Sequence, residues 1–281
     1  MTMSDTSEAS SSSARHEVEF TWRRTARRAF RAPGLLPAAT FIVVLLVWEA
    51  SCRIFQIPPF VLPAPSRVLG GFDSIPVMRW IDHVWATLRV ALLGYVVSIV
   101  VSLPVAVMLA RSAVLSRAIY PILVVVQSTP VVAVAPIIIV ALGSGDLPRV
   151  VITCLITFFP LVVSTTTGLM ATPPELIELS RSLRAPVMRE ITQIRFPYAV
   201  PYIFSALRIS VTLAVIGAVV AEFVAAEKGV GYFIQFSTSM FQVQQAWAGL
   251  VVLVLLSLIL FQIVTLAQRF WFPWSLPKER I

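Results

Sequence analysis

Apolar positions run through this chain in long unbroken stretches rather than with the two- or three-to-four-residue alternation of a half-buried strand or surface helix. A bilayer core about 30 Å thick needs roughly 20 helical residues at 1.5 Å each, and six stretches meet or approach that length. They cover 36–52, 84–110, 119–142, 148–170, 201–224 and 247–270. The first is short and carries Glu49 near one end. The second contains Arg89 near its start and Pro104 as an expected kink. The pattern predicts an all-α polytopic membrane protein of about six transmembrane helices, with a transmembrane domain over 32–272, a disordered, basic tail over 1–31 and a short C-terminal tail over 273–281.

Composition agrees with the pattern. Hydrophobic residues make up 58% of the 281 and charged residues 13%, against roughly 45–50% and about 25% in a soluble domain; mean hydropathy is +0.87. The net charge of +8 falls between apolar spans and not along an aromatic-lined groove, so it points to membrane lipid headgroups rather than nucleic acid. With the N-terminus inside, 16 of the 22 Lys and Arg residues fall on the cytoplasmic side. The positive-inside rule then predicts that both termini, and a loop over 171–199, are cytoplasmic. No cleaved leader is expected, because the first apolar run begins only near Leu35, after the basic stretch Arg23 to Arg31. Cys52 and Cys154 read as small membrane residues, and His16 and His83 are too isolated to suggest a metal site.

Several polar features sit where hydrocarbon is expected. Gln127, Ser128, Thr129 and Pro130 place an amide, two hydroxyls and a helix breaker in the third span, where they line a conduit or hinge, or else bond neighbouring helices. Arg208 in the fifth span must snorkel or face protein. Glu222 closes that span ahead of a turn built on Gly229 and Gly231, and these four residues are expected to serve a gate or its packing. The segment from Ala225 to Ala246 is too polar to face lipid and reads as a loop or re-entrant element. Four prolines, Pro58, Pro59, Pro63 and Pro65, exclude a regular helix from Ile57 to Phe72. The chain lacks HExxH, GxSxG and Walker A patterns, so it is expected to carry no catalytic site and to bind no cofactor of its own.

The window ELSRSLRAPVMREITQIRFP, Glu178 to Pro197, is a charged island between the fourth and fifth spans. Pro173 and Pro174 can open a helix there. Leu176, Leu179 and Leu183 would form its apolar edge, suited to a lipid surface or to a soluble partner.

This window resembles the cytoplasmic EAA motif of ABC-importer permeases: E-A-A, three residues, G, nine residues, I, one residue, L-P. Glu178 holds the glutamate place, Leu179 and Ser180 the alanine places, Arg184 the glycine place, Ile194 the isoleucine place, and Phe196 and Pro197 the closing pair. LPAPSRVL, QSTPVVAVAPIII, FPYAVPYIFSALRI and AEFVAAEKGVGYFI, spread over about 200 residues, are similar to stretches of the nitrate, sulfonate and taurine branch.

The resemblance implies a type I-like importer fold with a cytoplasmic coupling helix. Glu178, Leu179, Ser180, Leu183, Arg184, Ala185, Ile194 and Pro197 would contact an ATPase. It further implies a homodimer or pseudodimer of permease subunits, two ABC ATPase subunits that hold the ATP and magnesium, a solute-binding protein, and a bacterial inner-membrane location. Arg184 is expected to point away or to pair with a partner carboxylate, since glycine in its place would let two backbones meet. The implied function is ATP-driven import of a small anionic or heterocyclic solute by alternating access. An ion-driven secondary transporter is the first alternative, disfavoured because no acidic residue lies at mid-span. A non-transporting scaffold leaves the QSTP segment and the permease-like motifs unexplained.

Overall fold

In a computed structural model the described residues are 35–276. The N-terminal tail over 1–31, and the part of the C-terminal tail from residue 277 on, lie outside them. The described chain is helical and divides into two units, one ending at Arg67 and one beginning at Val68.

The first unit is built on α1 (Leu35–Ile54). A run of apolar residues carries this helix, and its last turn ends in a left-handed residue, Gln56, at φ 48°. The Ile57 amide there bonds back to the Cys52 carbonyl at 3.1 Å, which satisfies one carbonyl orphaned at the helix end. Glu49 is held by partners at the end of α1. It accepts the amide and hydroxyl of Ser66 at 3.0 and 2.8 Å and the Arg53 Nε at 2.7 Å. That clasp folds the proline-rich stretch back over the helix end. The expectation of no regular helix from Ile57 to Phe72 needs correction, because Pro65–Gly70 forms a short helix, α2, followed by a 3₁₀ turn over Gly71–Ser74. The last of the four prolines sits at the first helical position, where its missing N–H is no loss.

The second unit packs α3 (Val77–Arg111), α6 (Asp146–Met170) and α9 (Phe196–Ala225) as a central trio. Thr153 of α6 is its focus. A Cβ at Gly94 of α3 would sit 2.5 Å from the Thr153 side chain, and one at Gly217 of α9 would sit 2.9 Å from its Cα. Only glycine lets three backbones close this tightly, and small residues at helix contacts are how helices associate where lipid is as apolar as leucine. Hydroxyls bond across the same seams: Ser210 to the Thr157 carbonyl at 3.3 Å, Ser102 to the Phe158 carbonyl at 3.3 Å, and Tyr95 to the Leu207 carbonyl at 3.0 Å. Val90, Ala91, Tyr95, Val211, Val215, Leu256 and Leu260 fill the space between α3, α9 and α11 (Val243–Trp271).

The stretch read as a third span is two helices, α4 (Ala113–Ser128) and α5 (Val131–Leu142), meeting at 92°. Among the described residues five helices are long and apolar enough to cross a membrane, or six if this bent pair is one span. Between α6 and α9 lie α7 (Pro174–Ser182), a single turn α8 (Val187–Arg189) and a π-helical segment over Glu190–Arg195. After α9, a glycine turn leads to α10 (Val230–Ser239), which packs on α3, α9 and α11. Its buried Val230, Gly231, Phe233 and Ser237 make it a helix seated on the bundle rather than an open loop.

Candidate functional site

The island between α6 and α9 is assembled from local rules. Pro173 stands at the N-cap of α7, Pro174 opens it and Glu175 occupies the first turn, where a carboxylate offsets the positive end of the helix dipole. At the other end Leu183 is the C-cap and Arg184 takes φ 53°. The Ala185 amide bonds to the Ser180 carbonyl at 3.0 Å and the Arg184 amide to the Arg181 carbonyl at 2.9 Å. These two bonds define a Schellman cap, whose αL position is usually glycine. The glycine place of the motif is therefore explained by backbone conformation: arginine fills it at the cost of a left-handed residue, with its side chain exposed.

The apolar edge of the island is uncovered. Leu179 is 56% exposed, Leu183 74% and Met188 69%, with Val187 beside them, while Leu176 and Ile177 are half-buried. Glu178 is exposed, and Ser182 donates to its backbone carbonyl at 3.0 Å. Ser180 is turned inward and its hydroxyl finds no hydrogen-bond partner among the described residues. Ile194 and Pro197 are half-buried where the island enters α9. Glu190, which sequence reasoning did not single out, holds Arg195 at 2.7 Å and Arg181 at 3.6 Å.

Gln127, Ser128, Thr129 and Pro130 lie at the bend between α4 and α5, all exposed. Pro130 caps α5 without a side-chain bond. The Ser128 and Thr129 hydroxyls donate back to the Val124 and Val125 carbonyls at 2.8 and 3.1 Å, one turn earlier in α4. Gln127 is exposed and makes no such bond among the described residues.

The four residues expected at a gate do not all meet. Arg208 is half-buried within α9, some 14 residues or about 21 Å along that helix from Glu222. Glu222, Gly229 and Gly231 do come together. Glu222 is 1% exposed and accepts the Gly231 amide at 2.7 Å and the Thr87 hydroxyl at 2.8 Å. Thr87 in turn accepts the Val230 amide at 2.8 Å, and His83 Nδ1 accepts the Gly229 amide at 3.2 Å. One carboxylate and two α3 side chains thus take up the amides that open α10. Gly229 stands at φ 128°, and a Cβ there would lie 2.2 Å from the Glu222 carboxyl carbon.

Beside this knot is a cavity of about 500 Å³ lined by Arg89, Ser144, Asp146, Arg149, Glu227 and Lys228, among others. Arg89 pairs with Asp146 in its lining, and Arg149 lies 3.6 Å from the same carboxylate. The His83 and Thr87 contributions were beyond sequence reasoning, which saw His83 only as an isolated imidazole. Their signal is one helical turn of spacing on α3, meaningful only once α3 lies against the α9–α10 turn.

Residues 102–273 match the family described as binding-protein-dependent transport system inner membrane component. The formylaminopyrimidine transport permease protein ThiX of Halalkalibacterium halodurans is 31% identical over 248 residues, covering 88% of this chain and 98% of the relative. The riboflavin transport system permease protein RibX of Chloroflexus aurantiacus is 33% identical over 248 residues, covering 88% and 92%. The taurine transport system permease protein TauC of Escherichia coli is 25% identical over 246 residues, covering 85% and 89%. Among solved structures, a chain from inward facing conformations of the MetNI methionine ABC transporter shares the fold at a TM-score of 0.60 and 22% identity, over 69% of this chain and 98% of that one.

Proposed function

The chain belongs to the family of binding-protein-dependent transport system inner membrane components, and on that premise we propose that it imports a small anionic or heterocyclic solute by ATP-driven alternating access. It is the permease subunit of an ABC importer, a multi-pass protein of the bacterial inner membrane. Two copies form the pathway, two cytoplasmic ATPase subunits hold ATP and magnesium, and a solute-binding protein delivers the cargo from outside. Both termini and the island over 171–199 face the cytoplasm.

The coupling reading is supported by one observation: Leu179 and Leu183 stand exposed on a short, arginine-flanked segment between candidate spans, and Val187 and Met188 continue that exposed edge where the next apolar stretch begins. A lipid-surface helix would present its apolar face beside a broad basic one; here a single leucine-methionine edge fits a groove on a soluble subunit. Glu178, Leu179, Ser180, Leu183, Arg184, Ala185, Ile194 and Pro197 form or support this docking element. Closure of the ATPase pair draws the two docking elements together, and their movement tilts α6 and α9. Gln127, Ser128, Thr129 and Pro130, at the bend of a broken span, line or hinge the path. Glu222, Gly229 and Gly231 hold the outer mouth in register, and Arg208 faces the protein interior partway along α9.

Relatives named for formylaminopyrimidine, riboflavin and taurine transport support this substrate class. The experiment is uptake into proteoliposomes that contain this chain with its co-expressed ATPase and solute-binding protein, using labelled riboflavin, formylaminopyrimidine, taurine and nitrate. ATP-dependent accumulation of one of these solutes is expected. Accumulation driven by an ion gradient without ATP would establish a secondary transporter instead, and an assembly that neither hydrolyses ATP nor takes up solute would refute the reading.

A further inference from the structure

Glu190 is a nine-tenths buried carboxylate whose two oxygens hold two different elements. Oε1 takes Arg195 through Nη2 at 2.7 Å and Nε at 2.8 Å, and Oε2 faces the Nε of Arg181 at 3.6 Å. Arg195 lies at the entry to α9 and is 13% exposed in its side chain; Arg181 lies in the last turn of α7 and is 69% exposed.

The first pair is unusual in its spacing. Five residues advance about 500° around an α-helix, which leaves positions i and i+5 roughly 140° apart and unable to face one another. Here the backbone between them is π-helical, and the Phe196 amide bonds to the Ile191 carbonyl, five residues back. That register brings positions five apart one above the other. The Glu190–Arg195 pair therefore exists only while the segment keeps its π turn.

The second pair crosses from α8's successor segment to α7. Covalently the two are joined by a cap with a left-handed residue and a proline, Leu183 to Pro186, and then by the single turn α8. The side-chain pair adds a second, direct connection between α7 and the segment that enters α9.

We propose that Glu190 is a positioning residue for coupling: its carboxylate locks the end of α7, through Arg181, to the π-helical entry of α9, through Arg195, so that a displacement of α7 is delivered to α9. This rests on the reading that α7 docks on an ATPase subunit. Two features make the device effective. The Arg195 pair is shielded from water on both sides, so it is less screened than a surface pair, while the exposed Arg181 is the partner that can respond to α7. The π register can also change by one residue, which gives α9 two discrete arrangements rather than a continuous bend.

The test needs no knowledge of the transported solute. The chain is co-purified with its ATPase, reconstituted in lipid, and given Cys52→Ser, Cys154→Ser and Lys228→Cys, the last an exposed site beyond the other end of α9. Maleimide labelling at position 228 is followed without nucleotide and with ATP plus vanadate. Wild-type Glu190 gives a nucleotide-dependent change in labelling rate. Glu190→Gln and Arg181→Gln each reduce that change by about tenfold, equivalent to roughly 1.4 kcal/mol of lost linkage, while ATPase retention and basal hydrolysis persist. Glu190→Asp recovers part of it.

Arg181 is exposed, so Arg181→Gln decides the matter should Glu190→Gln fail to fold. If the parent complex responds to nucleotide and Arg181→Gln responds equally, the link is overturned even where Glu190→Gln is defective, because Glu190 then serves the fold alone. If the parent complex retains no ATPase, the docking reading falls and takes the link with it.

Discussion

Substituting Gly229 with alanine tests the buried knot at the end of α9. The new Cβ would lie 2.2 Å from Cδ of Glu222 and 2.4 Å from both carboxylate oxygens, far inside van der Waals contact. The carboxylate cannot swing aside freely. Glu222 is 1% exposed, and its oxygens are engaged by Thr87 at 2.8 Å and the Gly231 amide at 2.7 Å. Displacing it leaves two buried donors without acceptors, at about 1–3 kcal/mol each. Alanine at φ 128° adds backbone strain of about 1–3 kcal/mol. The expected destabilisation is on the order of 5 kcal/mol, comparable to the whole stability of many domains.

Thermal scans by fluorescence-detected size exclusion in detergent should show Gly229→Ala losing its monodisperse peak where the parent is intact. A double-mutant cycle sharpens the test, because Glu222→Ala removes the group the methyl collides with. The pair should be less destabilised than the two single changes taken together, with a coupling of about 1–3 kcal/mol. Parent-like stability of Gly229→Ala, or additivity within about 0.5 kcal/mol, would refute the steric argument.

Arg184→Gly should relieve roughly 1–2 kcal/mol of left-handed strain, offset by about 0.5–1 kcal/mol of extra backbone freedom; slower hydrogen exchange of the Ala185 amide, bonded to the Ser180 carbonyl, is expected, and faster exchange contradicts it. Glu178→Ala should weaken ATPase association by about fivefold to more than a hundredfold, from buried partner groups losing an acceptor at about 1–3 kcal/mol; unchanged affinity of the reconstituted complex would place this carboxylate outside the contact. Gln127→Leu should alter uptake while membrane insertion and ATPase retention stay as in the parent, and identical uptake across a full substrate titration would return the bend to a packing role. Arg189→Cys in a cysteine-free chain should resist an impermeant reagent added outside intact cells, as the 16 of 22 basic residues assigned to the inside require; labelling from outside inverts the topology.

What the chain declares by itself is what local physics dictates. Apolar runs of about 20 residues announce spans because the bilayer core has one thickness. The charged island announces itself because four arginines cannot stay in hydrocarbon. The opening of α7 at Pro174 and the meeting of Glu222 with Gly229 and Gly231 were legible because each depends on residues within ten positions of one another.

The rest depended on partners far along the chain or on a backbone register that sequence periodicity takes for granted. Pro130 marked a break, but a through-going third span becomes a 92° bend only as Ala135 of α5 packs with Ile152 of α6 and Ala221 of α9. The glycine place at Arg184 was read as a close approach, and the φ of 53° adds a helix-cap role that the sequence did not reveal. Glu190 escaped notice because an i, i+5 pair has no meaning at 3.6 residues per turn and acquires one only in a π-helix. Thr87 lies 135 residues from Glu222, and no local rule joins them. Their contact belongs to the tertiary structure, where Gly94 and Gly217 let α3 and α9 close on α6 at Thr153 and so bring a buried carboxylate within reach of the hydroxyl and amides that keep it satisfied.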